Sequence, residues 1–584
     1  MQDKFYTAER NAQIVLYLLK QNGIHKVIAS PGTTNITVVA SMQQDPWFEM
    51  YSAADERSAA YIACGLAAET QEPVVLSCTG ATASRNYVPG LTEAYYRKLP
   101  ILAITSTQSI SRVGNYIPQV IDRSQIQKDI AVFSTYIGTV KDADDEYDAT
   151  VKANKAIHYL FKHGGGPVHI NLETQYGKNF SIRELPACRV IKYYDLETSF
   201  PKINAERVSV FIGTHVQMTE DEVKAIDGFC ARYNGVVFCD HASNYHGEYA
   251  VFPAILGQQT TFGHLHKSDL LIHIGEVTAG YPVEGVAGQT KEVWRVSKDG
   301  EIRDRFQKLT AVFEMSETAF FTHYSTRETT DKHTEYRDEC AAIVNNLLAE
   351  VPDNLPFSNP WIAKTLAPQI PNGSILHLGI LNSIRAWDMF PLNNGVRAYV
   401  NSGGFGIDGD VSSLIGASLA QPDKLYFGII GDLAFFYDLN SLANRHVGNN
   451  VRILLVNNGR GTEFRNYNHP AAQFGDAADK YMAAAGHYGN KSHELIKHYA
   501  QDLGFRYITA SNKEEFLKVY SEFISDDMSK PVIFEVFTDS KDESDALYLL
   551  NHLMKPTGKD LAKEVVKKVV GQQGIKAIKK IISK

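Results

Sequence analysis

Short apolar runs alternate with amphipathic stretches along the whole chain. Val451 to Val456 is apolar apart from Arg452, and Leu425 to Ile430 apart from Gly428. Between them Phe436, Leu439, Leu442 and Ala443 recur at helical spacing. This reads as strand, loop, helix, strand, loop. The same alternation runs through residues 1–182: a helix over 7–22, a strand over 26–29, a small-residue helix from Asp55, then strands over 73–78 and 100–105. His163 to Glu173 reads as a glycine-rich loop and a last strand. It recurs over 200–345, with strands at 208–212, 235–240 and 269–274 and a helix over 219–233. A third set fills 355–545, with a helix near 361–366, strands at 374–378 and 531–536, and a helix and strand within 494–510. Strands alternating with helices predict parallel doubly wound sheets, here three α/β domains. Residues 181–200 have weak periodicity and read as a linker, and 555–584 form a separate basic amphipathic tail.

Length agrees with several cores, since 584 residues exceed what one can serve. No run of about eighteen apolar residues predicts a membrane span. The N-terminus lacks a basic n-region and reads as a first helix, so a cytoplasmic location is expected. The six cysteines form no CxxC pair and suggest buried thiols. His241, His246, His264 and His266 match no HExxH spacing and read as surface or core histidines. The middle region has no GxGxxG for a dinucleotide.

The net charge of −8 hides an asymmetry. From Lys555 onward nine lysines face Asp560 and Glu564, a local +7 that leaves −15 on residues 1–554. An acidic body excludes nucleic acid as its partner. In the tail Leu561, Val565, Val566, Val569 and Val570 share a face opposite lysines, the pattern of peripheral contact with an anionic membrane face or of packing on protein.

Candidate chemistry gathers at the predicted strand ends. Gly431-Asp432 follows one apolar run and Asn457-Asn458 the next, so an acid and an amide reach one sheet edge, where open α/β sheets bind ligands. Asp432, the Asn458 amide oxygen and a backbone carbonyl are hard donors suited to Mg²⁺ shared with a diphosphate. An ordinary strand-end Asp and an Asn-Gly turn would look the same. Glu56 opens the small-residue helix, where a carboxylate is favourable in any case.

The Gly-Asp, spacer and Asn-Asn stretch resembles the diphosphate-binding signature of thiamine diphosphate (ThDP) enzymes. Glu56-Arg57-Ser58-Ala59-Ala60 resembles their activating glutamate segment. Carried over, the resemblance makes Asp432, Asn458 and the Arg460 carbonyl the Mg²⁺ ligands, and Glu56 the partner of the aminopyrimidine N1′. It places Gly32, Thr79, Gly80, Asn86, Gln119, Phe405, Gly406, Ile407, Gly431, Leu433 and Glu463 at the cofactor, Ile407 as the apolar wedge between its rings. Ser30-Pro31-Gly32, Glu93-Ala94-Tyr95-Tyr96 and Gly406-Ile407-Asp408-Gly409 are similar to the succinyl-enolpyruvyl-hydroxycyclohexene-carboxylate synthases of menaquinone biosynthesis.

Three arginines with which those synthases grip a dicarboxylic acceptor are absent: Thr34 and Ser402 stand at two of the positions, and Ser106-Thr107-Gln108-Ser109 lacks the third. Thr and Ser cannot replace bidentate arginines. The resemblance therefore implies decarboxylation of a 2-oxo acid and transfer of the acyl-anion equivalent to a changed, less anionic acceptor. Simple non-oxidative decarboxylation and a silent ThDP-fold binding subunit remain open. Arg385, Arg460 and Arg465 are candidates for holding the donor carboxylate, and His469 and Glu463 for moving protons. The family's sites lie between subunits, which implies a homodimer or homotetramer.

Overall fold

The computed structural model describes residues 5–260, 267–325, 332–487 and 492–554. His264, His266 and the tail 555–584 lie outside them. The chain forms two compact units. One comprises Met1–Thr198 with Gly300–Glu314, the other Ser199–Asp299 with the rest.

The first unit is built on a six-stranded parallel sheet ordered 49–52, 26–29, 74–78, 101–107, 168–173, 133–137. Strand residues point alternately to its two faces. Val75, Leu102 and Ile104 join one buried cluster with Leu16 and Leu19. Val74, Leu76, Ile101 and Ala103 join another with Ala59 and Ala63. Both faces are covered, which explains the unbroken apolar runs. The alanines of helix Glu56–Thr70 permit a close crossing with helix Val88–Arg97: a Cβ on Gly90 would meet Ala60 Cβ at 2.4 Å.

The stretch read as a linker contributes the strand Lys192–Tyr194, parallel to Leu309–Glu314. Aromatic burial overrides its weak periodicity: Tyr194 stacks on Phe313 at 4.9 Å and Tyr193 Oη donates to Glu314 at 2.6 Å.

The second unit holds two parallel arrays. In the first, strands run 250–251, 235–239, 208–212, 268–274, 290–297. The helix Glu220–Arg232 begins at a capping box between Thr219 and Glu222. His241 is a core histidine beside the carbonyls of Trp387 and Phe390, each at 3.0 Å, and burial pushes its pKa down to about 4.

The second array is six-stranded, ordered 397–399, 375–378, 426–431, 451–457, 532–537, 506–510. Tyr426–Gly431 and Val451–Asn457 are adjacent, with Gly431 opposite Val456, so their following loops leave side by side. The helix expected between them is split into Asp432–Tyr437 and a 3₁₀ segment, Leu439–Ala443. Asp438 breaks it, accepting from Ser412 Oγ at 2.6 Å.

Candidate functional site

In the first unit the candidate residues collect at the carboxyl ends of neighbouring strands. Lys26–Ala29 leads into Gly32 and Val74–Cys78 into Thr79-Gly80. A Cβ on Gly32 would lie 2.6 Å from Thr79 Cβ, and one on Gly80 3.6 Å from the Gln119 carbonyl. Gly80 caps the helix Ala81–Asn86, and Asn86 Nδ2 donates to Glu56 Oε2 at 3.3 Å. Glu56, half-buried, is the first residue of its helix, behind the N-cap Asp55.

In the second unit a cavity of about 170 Å³ opens where the two central strands end. Ile407, Gly431, Asp432, Leu433, Asn458, Arg460 and Glu463 line it. Phe405 and Gly406 do not: they precede Ile407 in the glycine-rich loop, Phe405 at φ +57° with its ring 5.5 Å from Tyr281.

Asp432 is buried, and that burial pushes its carboxyl up to about 7 against the pull of the Leu433 and Gly459 amides. No cationic side chain is among the groups acting on it. Asn458 Oδ1, accepting from Thr462 Oγ1 at 2.6 Å, faces the same cavity region. A buried, uncompensated carboxyl beside an amide oxygen is a donor set a hard dication fits. Gly431 has open space where a Cβ would stand, leaving room for a bulky anion over the loop.

Two further acids line the cavity that the sequence alone did not single out. Burial pushes Asp410 up to about 7; Asn401 Nδ2 donates to its Oδ1 at 3.3 Å, and its Oδ2 has no partner among the described residues. Glu543, also raised to about 7 by burial, accepts from the Asn359 N–H at 3.0 Å and from Thr538 Oγ1 at 2.7 Å. Glu543 shares a buried helix face with Ala546 and Leu550, so an acid at apolar spacing was its signal.

The three candidate arginines are committed elsewhere. Arg385 pairs with Glu463 at 2.7 Å, Arg460 with Asp479 at 2.7 Å, and Arg465 with Asp476 and Asp479. A guanidinium already answered by a carboxylate is a poor grip for a second one. Glu463 is likewise spent on Arg385, and His469 Nδ1 accepts the Ala471 N–H at 3.1 Å.

The positions of the missing arginines are closed. Thr34 Oγ1 lies 2.5 Å from Thr79 Oγ1, and Ser402 Oγ 3.0 Å from Thr214 Oγ1, both residues buried.

Residues 10–127 match the family described as thiamine pyrophosphate enzyme, N-terminal TPP binding domain, and residues 382–536 match its C-terminal TPP binding domain. The chain belongs to the thiamine diphosphate enzymes. The two matches cover the Glu56 and the Asp432 ends of this ThDP enzyme respectively. It is related to the 2-succinyl-5-enolpyruvyl-6-hydroxy-3-cyclohexene-1-carboxylate synthases. That of Bacteroides fragilis is 28% identical over 94% of this chain and 100% of that one. The Bacteroides thetaiotaomicron synthase gives the same values, and that of Flavobacterium psychrophilum is 26% identical over 94% and 98%. A solved ThDP-dependent 4-hydroxybenzoylformate decarboxylase of Rhodococcus jostii RHA1 aligns over 91% of this chain and 99% of that one. Its identity is 16% and its TM-score 0.38, too low to bear on the fold. No helix among the described residues is long and apolar enough to cross a membrane.

Proposed function

We propose that this ThDP enzyme decarboxylates a 2-oxo acid and transfers the remaining acyl unit to an acceptor less anionic than that of its synthase relatives. The observation that carries the reading is the pair Asp432 and Asn458 on one cavity at the ends of adjacent strands. Bound ThDP supplies the carbon nucleophile and the electron sink for loss of CO₂.

The chain's own residues bind, orient and exclude water. Asp432, Asn458 and the Arg460 carbonyl would hold Mg²⁺, whose charge would offset the buried Asp432 carboxylate and favour a diphosphate. Gly431 and Leu433 form the floor beneath it. Ile407, half-buried against the core, would be the apolar side chain that packs on the cofactor's rings. Phe405 and Gly406, just before it, offer carbonyls to the 4′-amino group. Glu56 would share a proton with the aminopyrimidine N1′ of bound ThDP, its carboxylate positioned by Asn86 through the 3.3 Å hydrogen bond. Gly32, Thr79, Gly80 and Gln119 border the pyrimidine. With Thr34 and Ser402 turned inward, nothing at those positions grips a dicarboxylate.

Two copies complete each site, Glu56 from one and Asp432 from the other, in a homodimer or homotetramer. The lysine-rich sequence 555–584 is read as a contact with anionic lipid.

The decisive experiment combines thermal stabilisation by ThDP and Mg²⁺ with CO₂ release from a panel of 2-oxo acids, with and without added aldehydes and ketones. Release that rises with an acceptor supports transfer. Release indifferent to every acceptor favours simple decarboxylation, and ThDP binding with no release favours a silent subunit.

A further inference from the structure

A second recess of about 210 Å³ adjoins the Asp432 cavity, and Asn382 and Glu463 line both. Its walls come from the segment after Thr462 and from the last turns of helix Ser540–Leu550. Its charge is self-cancelling: Arg385 and Glu463, the charged side chains that line it, pair at 2.7 Å. His469 turns Nδ1 to the Ala471 N–H, 3.1 Å away.

What remains is amide and tyrosine. Asn468 and Asn551 each carry one donor group and one acceptor, the same double capacity as a hydroxyl, while the Asn466 amide group donates to Asn382 at 3.3 Å and to Glu463 at 3.2 Å. Asn466 Oδ1 and Asn551 Oδ1 have no donor among the described residues. A buried acceptor left so costs about 1–3 kcal/mol, a cost that a ligand hydroxyl donating to either oxygen would remove. Tyr467 and Tyr548, each 52% exposed, meet edge to face with centroids 6.2 Å apart and form an apolar corner. Amides for hydroxyls and aromatic faces for C–H groups suit an uncharged, amphipathic ring. The volume is below the roughly 300–1,000 Å³ of drug-sized pockets, enough for one such ring.

We propose that this recess binds a neutral polyhydroxylated ligand, a single sugar residue, and that it is the acceptor subsite. The acceptor role rests on the transfer reading above. In that role the C1–C2 bond of the 2-oxo acid breaks to release CO₂. Its electron pair ends in the new bond to a ketone carbon carried on the sugar ring, and that ketone's oxygen takes the proton the acid has lost.

The test is saturation-transfer NMR on the full chain loaded with ThDP and Mg²⁺. The probes are methyl α-glycosides of glucose, galactose and mannose, with succinate as the anionic counter-probe. Saturation should pass to at least one glycoside and not to succinate. Tyr548→Ala and Asn468→Ala, both at exposed positions, should each weaken the transfer about fivefold, the loss of one ring contact or one hydrogen bond. ThDP-dependent stabilisation should stay unchanged. No transfer to any glycoside, a preference for succinate, or transfer undiminished in both variants overturns the proposal. If ThDP fails to stabilise the protein, the cofactor reading falls by itself. Glycoside binding by the unloaded chain is then still scored against the same two variants.

Discussion

Asn86, the last residue of one short helix, holds Glu56, the first residue of its neighbour, through a 3.3 Å hydrogen bond. On the function proposed above, Glu56 is the proton-handling group and Asn86 its positioning residue. Glu56→Gln should lower CO₂ release by about 10²–10⁴-fold, the usual worth of a general acid–base group, and leave ThDP-induced stabilisation intact. Asn86→Ala should lower it about tenfold, the worth of one hydrogen bond to a charged group, and shift the acidic limb of the pH profile. Full activity in Glu56→Gln would end the assignment.

Removing the metal should separate the two ends of the site. EDTA, or Asp432→Ala, should abolish the rise in melting temperature on adding ThDP. Asn458→Ala should keep part of it, recovered with excess Mg²⁺. Calorimetric titration of ThDP reads both, independently of turnover.

Asp410 and Glu543 each contribute to the pH dependence of stability. Both are raised to about 7 by burial, from 3.8 and 4.5. The folded state therefore favours their protonated forms. Their contribution is full below about pH 4 and is lost as the pH climbs to about 7. Each is worth on the order of 3–4 kcal/mol at most. Between pH 5 and pH 8 the melting temperature of the unsubstituted chain should fall relative to that of Glu543→Gln, because the substitution removes one such slope. An unchanged slope would show that Glu543 ionises as freely as an exposed acid.

Restoring the relatives' arginines should fail. Thr34 and Ser402 are buried and mutually satisfied with Thr79 and Thr214. Thr34→Arg and Ser402→Arg should each destabilise by about 1–3 kcal/mol through overpacking. Neither should create succinate binding; calorimetry and thermal unfolding check the two claims.

Deleting 555–584 should lower co-sedimentation with phosphatidylserine vesicles without changing CO₂ release. Unchanged sedimentation refutes the lipid contact.

The parts of the fold that announce themselves in sequence are those buried on both faces. Strands Lys26–Ala29 and Val208–Ile212 coincide with their apolar runs. Glu49–Ser52, Arg397–Tyr399 and Lys192–Tyr194 do not, because edge strands carry polar and exposed residues. In the second unit the spacing of Asp432 and Asn458 gave the site's outline. Asp410 was hidden because an acid in a helix's first turn looks solvated. Glu543 joins Asp432 only through the fold, more than a hundred residues later. The commitments of Arg385, Arg460 and Arg465 were equally invisible, since pairing depends on three-dimensional neighbours.

The return of Gly300–Glu314 to the first unit bears on how the chain is made. Lys162, almost fully buried, and Tyr159 both meet Glu301, while Arg189 meets Asp304 at 2.6 Å. A ribosome adding about 5–20 residues per second reaches Gly300 roughly 5–20 s after Thr198. Until then the nascent first unit waits with its cations unanswered, while Ser199–Asp299 emerges in between. A stop codon at the apparent boundary would strand that unit in this unfinished state, so the two units are not separable genetic cassettes.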